Sequence, residues 1–259
     1  LSLFFTSNEA ISVSAVTFSS TMQAEVEDNG TSAFHASYYL QDNDSEGVII
    51  FTASAEDMAG NITIFTATSD NSSVIFDRTV PVLNKVSISS GNTLSSARAK
   101  SGDNISLEFT ASEALSYGNL CDACDAPQVH LYGDNQSIAQ SASALTVKKI
   151  LWQVSRSFRS SMKTSQTGDQ VTFSISFKDY AGNQGITVNS VTDSTSVTYD
   201  DQPPQATGVS LTSNNANSSS LAQTGDNLSL NFSFNENLSS TPAVSIAGTN
   251  LVPNSVNNF

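Results

Sequence analysis

The chain has 259 residues, with 24 Asp and Glu against 10 Lys and Arg and a formal net charge of −14. Such a surface repels phosphate backbones, so nucleic acid is excluded as an expected partner. Hydrophobic residues make up only 38% and charged residues 13%, and the balance is rich in Ser, Thr and Asn. Short β-strands with one buried face tolerate that mix, whereas long helices would need more Ala, Leu, Glu and Lys.

No apolar run is long enough to span a bilayer. The chain begins at Leu1 without a methionine, and we expect a mature or excised piece of a longer polypeptide.

In chain order, the first element is Leu1-Ser-Leu-Phe-Phe-Thr-Ser-Asn-Glu-Ala-Ile11. The same segment returns as Ile105–Leu115 and again as Leu228–Leu238. Apolar residues alternate at Ile105, Leu107 and Phe109, and at Leu228, Leu230 and Phe232. That is the period of a half-buried strand. Gly102-Asp103-Asn104 and Gly225-Asp226-Asn227 precede the second and third copies as tight turns.

A second strand follows, closed each time by Asp-x-Ala-Gly-Asn. It runs over Gly47–Asn61 and again over Asp169–Asn183. The Asp caps the turn, and Gly-Asn supplies the positive φ that a hairpin needs. Both copies end alike, on Ser-Ser-Val-Ile-Phe-Asp77 and Thr-Ser-Val-Thr-Tyr-Asp200. A Pro-bearing linker (Pro81; Pro203-Pro204) and a fresh strand (Lys85–Ser89; Gly208–Thr212) come next.

This grammar resembles the bacterial-type Ig-like repeats of extracellular surface adhesins and filament proteins, along essentially the whole chain. The resemblance implies an all-β fold of tandem immunoglobulin-like β-sandwich domains, about seven strands each. The expected domains are 1–81, a repeat lacking its first strand; 82–203, a complete repeat; and 204–259, a repeat lacking its C-terminal strands. The expected role is a structural subunit of an extracellular or cell-surface filament or rod, self-associating through strands donated between neighbours. A stalk segment of a large adhesin and a carbohydrate-binding accessory module of a secreted enzyme are the alternatives.

Asn-x-Ser/Thr occurs at Asn29, Asn43, Asn61, Asn71, Asn104, Asn135, Asn217, Asn227, Asn231 and Asn237. A chain so rich in Asn, Ser and Thr makes many such triplets by composition. Asn104 and Asn227 nevertheless share a repeat position, and covalent glycans there would cover polar backbone and sheet edges. Cys121 and Cys124 sit in a loop-like stretch. A local disulfide is the first reading and free thiols the second; a zinc site would need more ligands than this pair supplies.

Acidic residues gather near the repeat boundaries. Glu9, Glu113 and Glu236 recur at one position, Asp57 and Asp179 open the Gly-Asn turns, and Asp77, Asp200 and Asp201 sit in the linkers. Each carboxylate can cap its own turn. The competing reading brings Glu113, Asp179 and Asp77 together as hard oxygen ligands for Ca²⁺ at a junction.

Lys148, Lys149, Arg156, Arg159 and Lys163 hold half of the positive charge and flank Trp152. They form either a solvated face around a core Trp or a contact for an acidic patch such as Asp42, Asp44 and Glu46 of a neighbour. Catalytic constellations are poor. His35 and His130 lie apart from any nucleophile motif, and Ser160-Ser-Met-Lys163 lacks the partners that give Ser-x-x-Lys its meaning. No enzymatic activity is expected.

Overall fold

The computed structural model describes residues 1–30, 32–117, 126–131, 143–144, 151–157 and 168–253. Among these residues the chain is all-β, with no helix and several antiparallel sheets. Among the described residues no helix is long and apolar enough to cross a membrane.

The first stretch carries β1 (Ser2–Thr6), β2 (Ile11–Phe18), β3 (Met22–Gln23), β4 (Glu25–Asp28), β5 (Ala33–Ser37), β6 (Gly47–Val48), β7 (Phe51–Asp57), β8 (Ile62–Phe65) and β9 (Ile75–Phe76). They form sheets ordered β1-β5-β4 and β3-β2-β7-β8, with β6 and β9 as a separate pair. Alternation explains the packing. Leu3 and Ala36 from the first sheet share one core with Val16, Phe18, Met22 and Ala53 from the second. Their sequence neighbours point the other way, as a period of two requires.

The middle stretch carries β10 (Leu83–Ser90), β11 (Arg98–Ala99), β12 (Asn104–Ala111), β13 (Gln128–Leu131), β14 (Ser143–Ala144), β15 (Leu151–Ser157), β16 (Phe173–Ser176) and β17 (Thr198–Tyr199). The main sheet is ordered β10-β12-β15-β14, with β13-β16 antiparallel and β11-β17 parallel. Val86, Leu107, Phe109, Ile175 and Val197 are fully buried here. The last stretch carries β18 (Ala206–Ser213), β19 (Leu228–Phe234), β20 (Val244–Ile246) and β21 (Thr249–Leu251), paired as β18-β19 and β20-β21. No described residue beyond Tyr199 joins a buried apolar core.

The sequence repeats are also repeats of pairing. Leu3 faces Ala36 and Phe5 faces Phe34, just as Leu107 faces Val154 and Phe109 faces Trp152. Ile11 pairs with Asp57 as Leu115 bridges Asp179. Val48 pairs with Ile75 as Gln170 bridges Thr198. The two Gly-Asp-Asn turns match as well. Asp103 Oδ2 accepts from Asn92 Nδ2 at 2.7 Å and Lys100 N at 2.9 Å; Asp226 Oδ2 accepts from Asn215 Nδ2 at 2.7 Å and Gln223 N at 2.8 Å. Gly102 and Gly225 take φ of +98° and +100°, which a residue with a Cβ adopts only under strain.

Compact units do not follow the repeat boundaries. One unit comprises Leu1–Val82 with Glu113–Asp125 and Phe177–Ile186, and the other comprises Leu83–Ser112, Ala126–Ser176 and Thr187–Phe259. Two loops of the middle repeat therefore belong to the first unit, and this grouping builds the site described next.

Candidate metal centre

The turn at Asp179 is the base of the site. Asp179 Oδ1 accepts from the backbone N–H of Gly182 at 2.7 Å and of Asn183 at 2.9 Å, and Oδ2 accepts from Asn183 Nδ2 at 2.8 Å. Asp57 builds the same turn, accepting from Ala59 N and Asn61 N at 2.8 Å each and from Asn61 Nδ2 at 2.7 Å. So both aspartates cap their turns. At Asp57 these bonds, the Asn61 side chain foremost, hold the carboxyl below its ordinary range.

The two turns then diverge. Asp57 is half-buried, whereas Asp179 is only 2% exposed. The Leu115–Asp179 bridge brings Glu113, two residues upstream, alongside the second turn. Asn183 Nδ2 also donates to the backbone carbonyl of Asp77 at 3.1 Å and draws the linker in. Glu46 fixes the linker from the other side. Its Oε1 accepts from Arg78 N at 2.8 Å and Thr79 Oγ1 at 3.0 Å, and it lies 4.0 Å from Arg78 Nε.

The result is that one carboxylate oxygen from each of Asp77, Glu113 and Asp179 lies within 4.8 Å of the other two. Oxygens on opposite sides of a Ca²⁺ ion stand about 5 Å apart, since each sits 2.3–2.6 Å from it. The three oxygens are therefore close enough together to be candidates for sharing one ion. The donor set is all carboxylate, with no imidazole or thiolate, which suits a hard cation.

The electrostatics point the same way. Glu113 Oε1 is buried and has no hydrogen-bond donor. Burial raises the Glu113 carboxyl above its ordinary range, and the negative charges of Asp77, Asp179 and Glu46 add to the rise. A divalent cation would replace that repulsion with attraction, so the arrangement can do chemically what a structural cation site does.

The sequence named all three of these carboxylates. It placed others with them that the fold takes elsewhere. Asp200, the linker counterpart of Asp77, lies 3.7 Å from Arg98 Nη1. Asp201 accepts from the Tyr199 hydroxyl at 2.9 Å. Glu9 is exposed, with its backbone N–H bonded to Ser7 Oγ. Two contributors escaped sequence reasoning. Glu46, offered by the sequence only as one member of an alternative acidic contact patch, binds Arg78 and Thr79 of its own chain, and Asp44 accepts from Gln41 N at 2.7 Å. No local signal marks a partner 32 residues away. Asn183 was read only as a turn residue, although its place in Asp-x-Ala-Gly-Asn was the available signal.

The other candidate residues are spread out. Asn29, Asn43, Asn61, Asn71, Asn104, Asn217, Asn227, Asn231 and Asn237 are exposed. Asn61 is a poor glycan acceptor, because its amide nitrogen donates to Asp57. Asn135, Cys121, Cys124, Lys148, Lys149, Arg159, Ser160 and Lys163 lie outside the described residues, as do the side chains of Trp152 and Arg156. His35 stacks on Phe4 at 4.3 Å between ring centroids, with Nδ1 3.8 Å from Glu27. His130 sits on β13 and is half-buried.

Comparison with family models, with curated proteins and with solved structures found no match to the chain.

Proposed function

We propose that the chain is a structural segment of an extracellular filament or surface rod, built of consecutive Ig-like domains and stiffened by Ca²⁺ at Asp77, Glu113 and Asp179. The observation that carries this reading is the repetition of strand pairing in register, at three separate places in the first two repeats. A chain that repeats a fold unit in tandem builds a quasi-one-dimensional array, in which each unit contacts its sequence neighbours. Mechanical continuity then depends on the linkers. Asp77 lies in the linker, while Glu113 and Asp179 are supplied by loops of the following repeat. One ion held by all three would cross-link that linker. Glycans on exposed asparagines would sheath the polar faces.

Electron microscopy of the full-length polypeptide tests the reading. Extended beaded rods that straighten in millimolar Ca²⁺ and kink under chelation are expected. Compact particles indifferent to Ca²⁺ would overturn it. Calorimetry with CaCl₂ supplies the second readout, with wild type expected to bind one ion and Glu113→Gln expected to lose that binding.

A further inference from the structure

The hairpin between β4 and β5 holds the one Asn-Gly pair of the sequence, Asn29-Gly30. Asp28, Asn29 and Gly30 are all exposed. Asn29 N donates to the Ala33 carbonyl at 3.0 Å, and Gly30 takes φ of +76°. Apart from its chain neighbours, no heavy atom lies within 4 Å of where a Cβ of Gly30 would sit, so the backbone there is uncrowded. Asparagines of the other turns are tied down. Asn61 and Asn183 donate through Nδ2 to Asp57 and Asp179, and Asn92 and Asn215 donate likewise to Asp103 and Asp226. Among the described residues the Asn29 side chain has no such partner.

A carboxamide free to turn, followed by a residue with no side chain, can be attacked by the next backbone nitrogen. We infer that Asn29 modifies itself, losing its side-chain nitrogen as ammonia and becoming aspartate or isoaspartate. The Gly30 nitrogen bonds to Asn29 Cγ and the Cγ–Nδ2 bond breaks. The Gly30 proton passes through water to the departing nitrogen, which leaves as ammonia. Water then opens the cyclic imide. Cleavage of the new Cγ–N bond gives ordinary aspartate. Cleavage at the Asn29 backbone carbonyl instead leaves the chain running through the side chain, one methylene longer. Either product adds a negative charge.

Asp28 is the brake on this reaction. Its Oδ1 accepts the Gly30 N–H at 2.8 Å. The nitrogen attacks only as that proton departs, and a carboxylate bonded to the proton opposes its loss. The product matters to the sheet. β4 already exposes Glu25, Glu27 and Asp28, and loop length fixes hairpin register. An added methylene therefore loosens Glu25–Asp28 from their partners Phe34–Ser37. β4 is an edge strand with every residue exposed, so the core beneath survives. Asn29 also opens the sequon Asn29-Gly30-Thr31, and a glycan on Nδ2 would leave no free carboxamide to lose. The inference is independent of the filament reading.

The test incubates the full, unglycosylated chain at pH 7 and follows every asparagine by peptide mass spectrometry, with a parallel sample unfolded in guanidinium chloride. Folded wild type is expected to convert at Asn29 before any other asparagine and to yield both isomers. Asp28→Ala should convert roughly tenfold faster when folded, the worth of one hydrogen bond to a charged group, and at the wild-type rate when unfolded. Asp28→Asn retains an accepting oxygen and should stay near wild type. Gly30→Ala should convert roughly tenfold more slowly, because a Cβ crowds the nitrogen and disfavours the left-handed backbone. In the isoaspartyl fraction, hydrogen exchange should quicken at Val26–Asp28. Another asparagine converting first in the folded chain would overturn the site. Gly30→Ala reacting as fast as wild type, folded and unfolded, would overturn attack by the backbone nitrogen. Folded Asp28→Ala no faster than wild type, or Asp28→Asn as fast as Asp28→Ala, would overturn the hydrogen bond as the brake.

Discussion

Gly185→Ala tests the packing beneath the candidate metal centre. Gly185 is buried on the segment leaving the Asp179 turn, and its backbone N–H donates to the Phe177 carbonyl at 3.0 Å. A Cβ built there falls 2.2, 2.5 and 2.7 Å from three carbons of the Phe177 ring. Carbon atoms in contact prefer about 3.5–4.0 Å, and Phe177 is only 4% exposed, so the ring has little room to yield. Such overpacking costs about 1–3 kcal/mol. Losing glycine's freedom in the unfolded chain offsets about 0.4–1 kcal/mol of that. The net expectation is a loss of about 1–2 kcal/mol, read by urea unfolding followed by circular dichroism. The control is the same change in a Phe177→Leu background. If the ring is the obstacle, the double variant loses less than the sum of the singles by about 1 kcal/mol. A Gly185→Ala chain as stable as wild type would refute the reasoning. So would additive single and double variants. Phe177 lies two residues before Asp179, so the displaced ring is also expected to weaken Ca²⁺ binding in calorimetry.

Glu113→Gln should separate charge from cation. Burial and three neighbouring carboxylates raise Glu113 in the fold, so without cation its folded form retains the proton to higher pH than the unfolded chain does. That contribution favours folding below the ordinary Glu range and is lost as pH rises through the raised value. In chelator at pH 7 the variant is expected to be more stable than wild type; with Ca²⁺ it should lose an increment of about 2.7 kcal/mol at a hundredfold excess over Kd. Thermal melts at pH 4 and pH 7, each with and without Ca²⁺, read both effects. Asp179→Ala removes the carboxylate that accepts from the Gly182 and Asn183 backbone N–H groups and should cost about 1–3 kcal/mol by urea unfolding. Asp57, whose carboxyl is lowered chiefly by Asn61, stabilises the fold above the ordinary Asp range and loses that effect as pH falls through its lowered value. Asp57→Asn should therefore flatten the acid limb of the stability profile measured by denaturant titration. Phe109→Ala should cost about 3–5 kcal/mol, because Phe109 is fully buried. Its counterpart Phe232 is half-buried, so Phe232→Ala should cost the dilute chain far less. Equal losses in parallel unfolding curves would show that β19 is covered in solution.

Much of this molecule was legible in the sequence because its rules are local. Alternation at Leu1–Phe5, Ile105–Phe109 and Leu228–Phe232 fixes which side chains face a core, since successive strand residues point to opposite faces. The Asp-x-Ala-Gly-Asn and Gly-Asp-Asn turns are equally local: each aspartate accepts from donors within four residues, apart from the Asn92 and Asn215 amides eleven residues upstream. Aligning the repeats even suggested Asp77, Glu113 and Asp179 as a set. What the sequence could not decide was which junction assembles such a set. Asp200 and Asp77 occupy the same repeat position, yet one lies against Arg98 and the other beside Glu113 and Asp179. That choice depends on contacts tens of residues apart, the Glu46–Arg78 and Asn183–Asp77 bonds among them. The same holds for exposure. Val86 and Val209 stand at one repeat position in like strands, and only the chain packed around each makes one fully buried and the other 60% exposed.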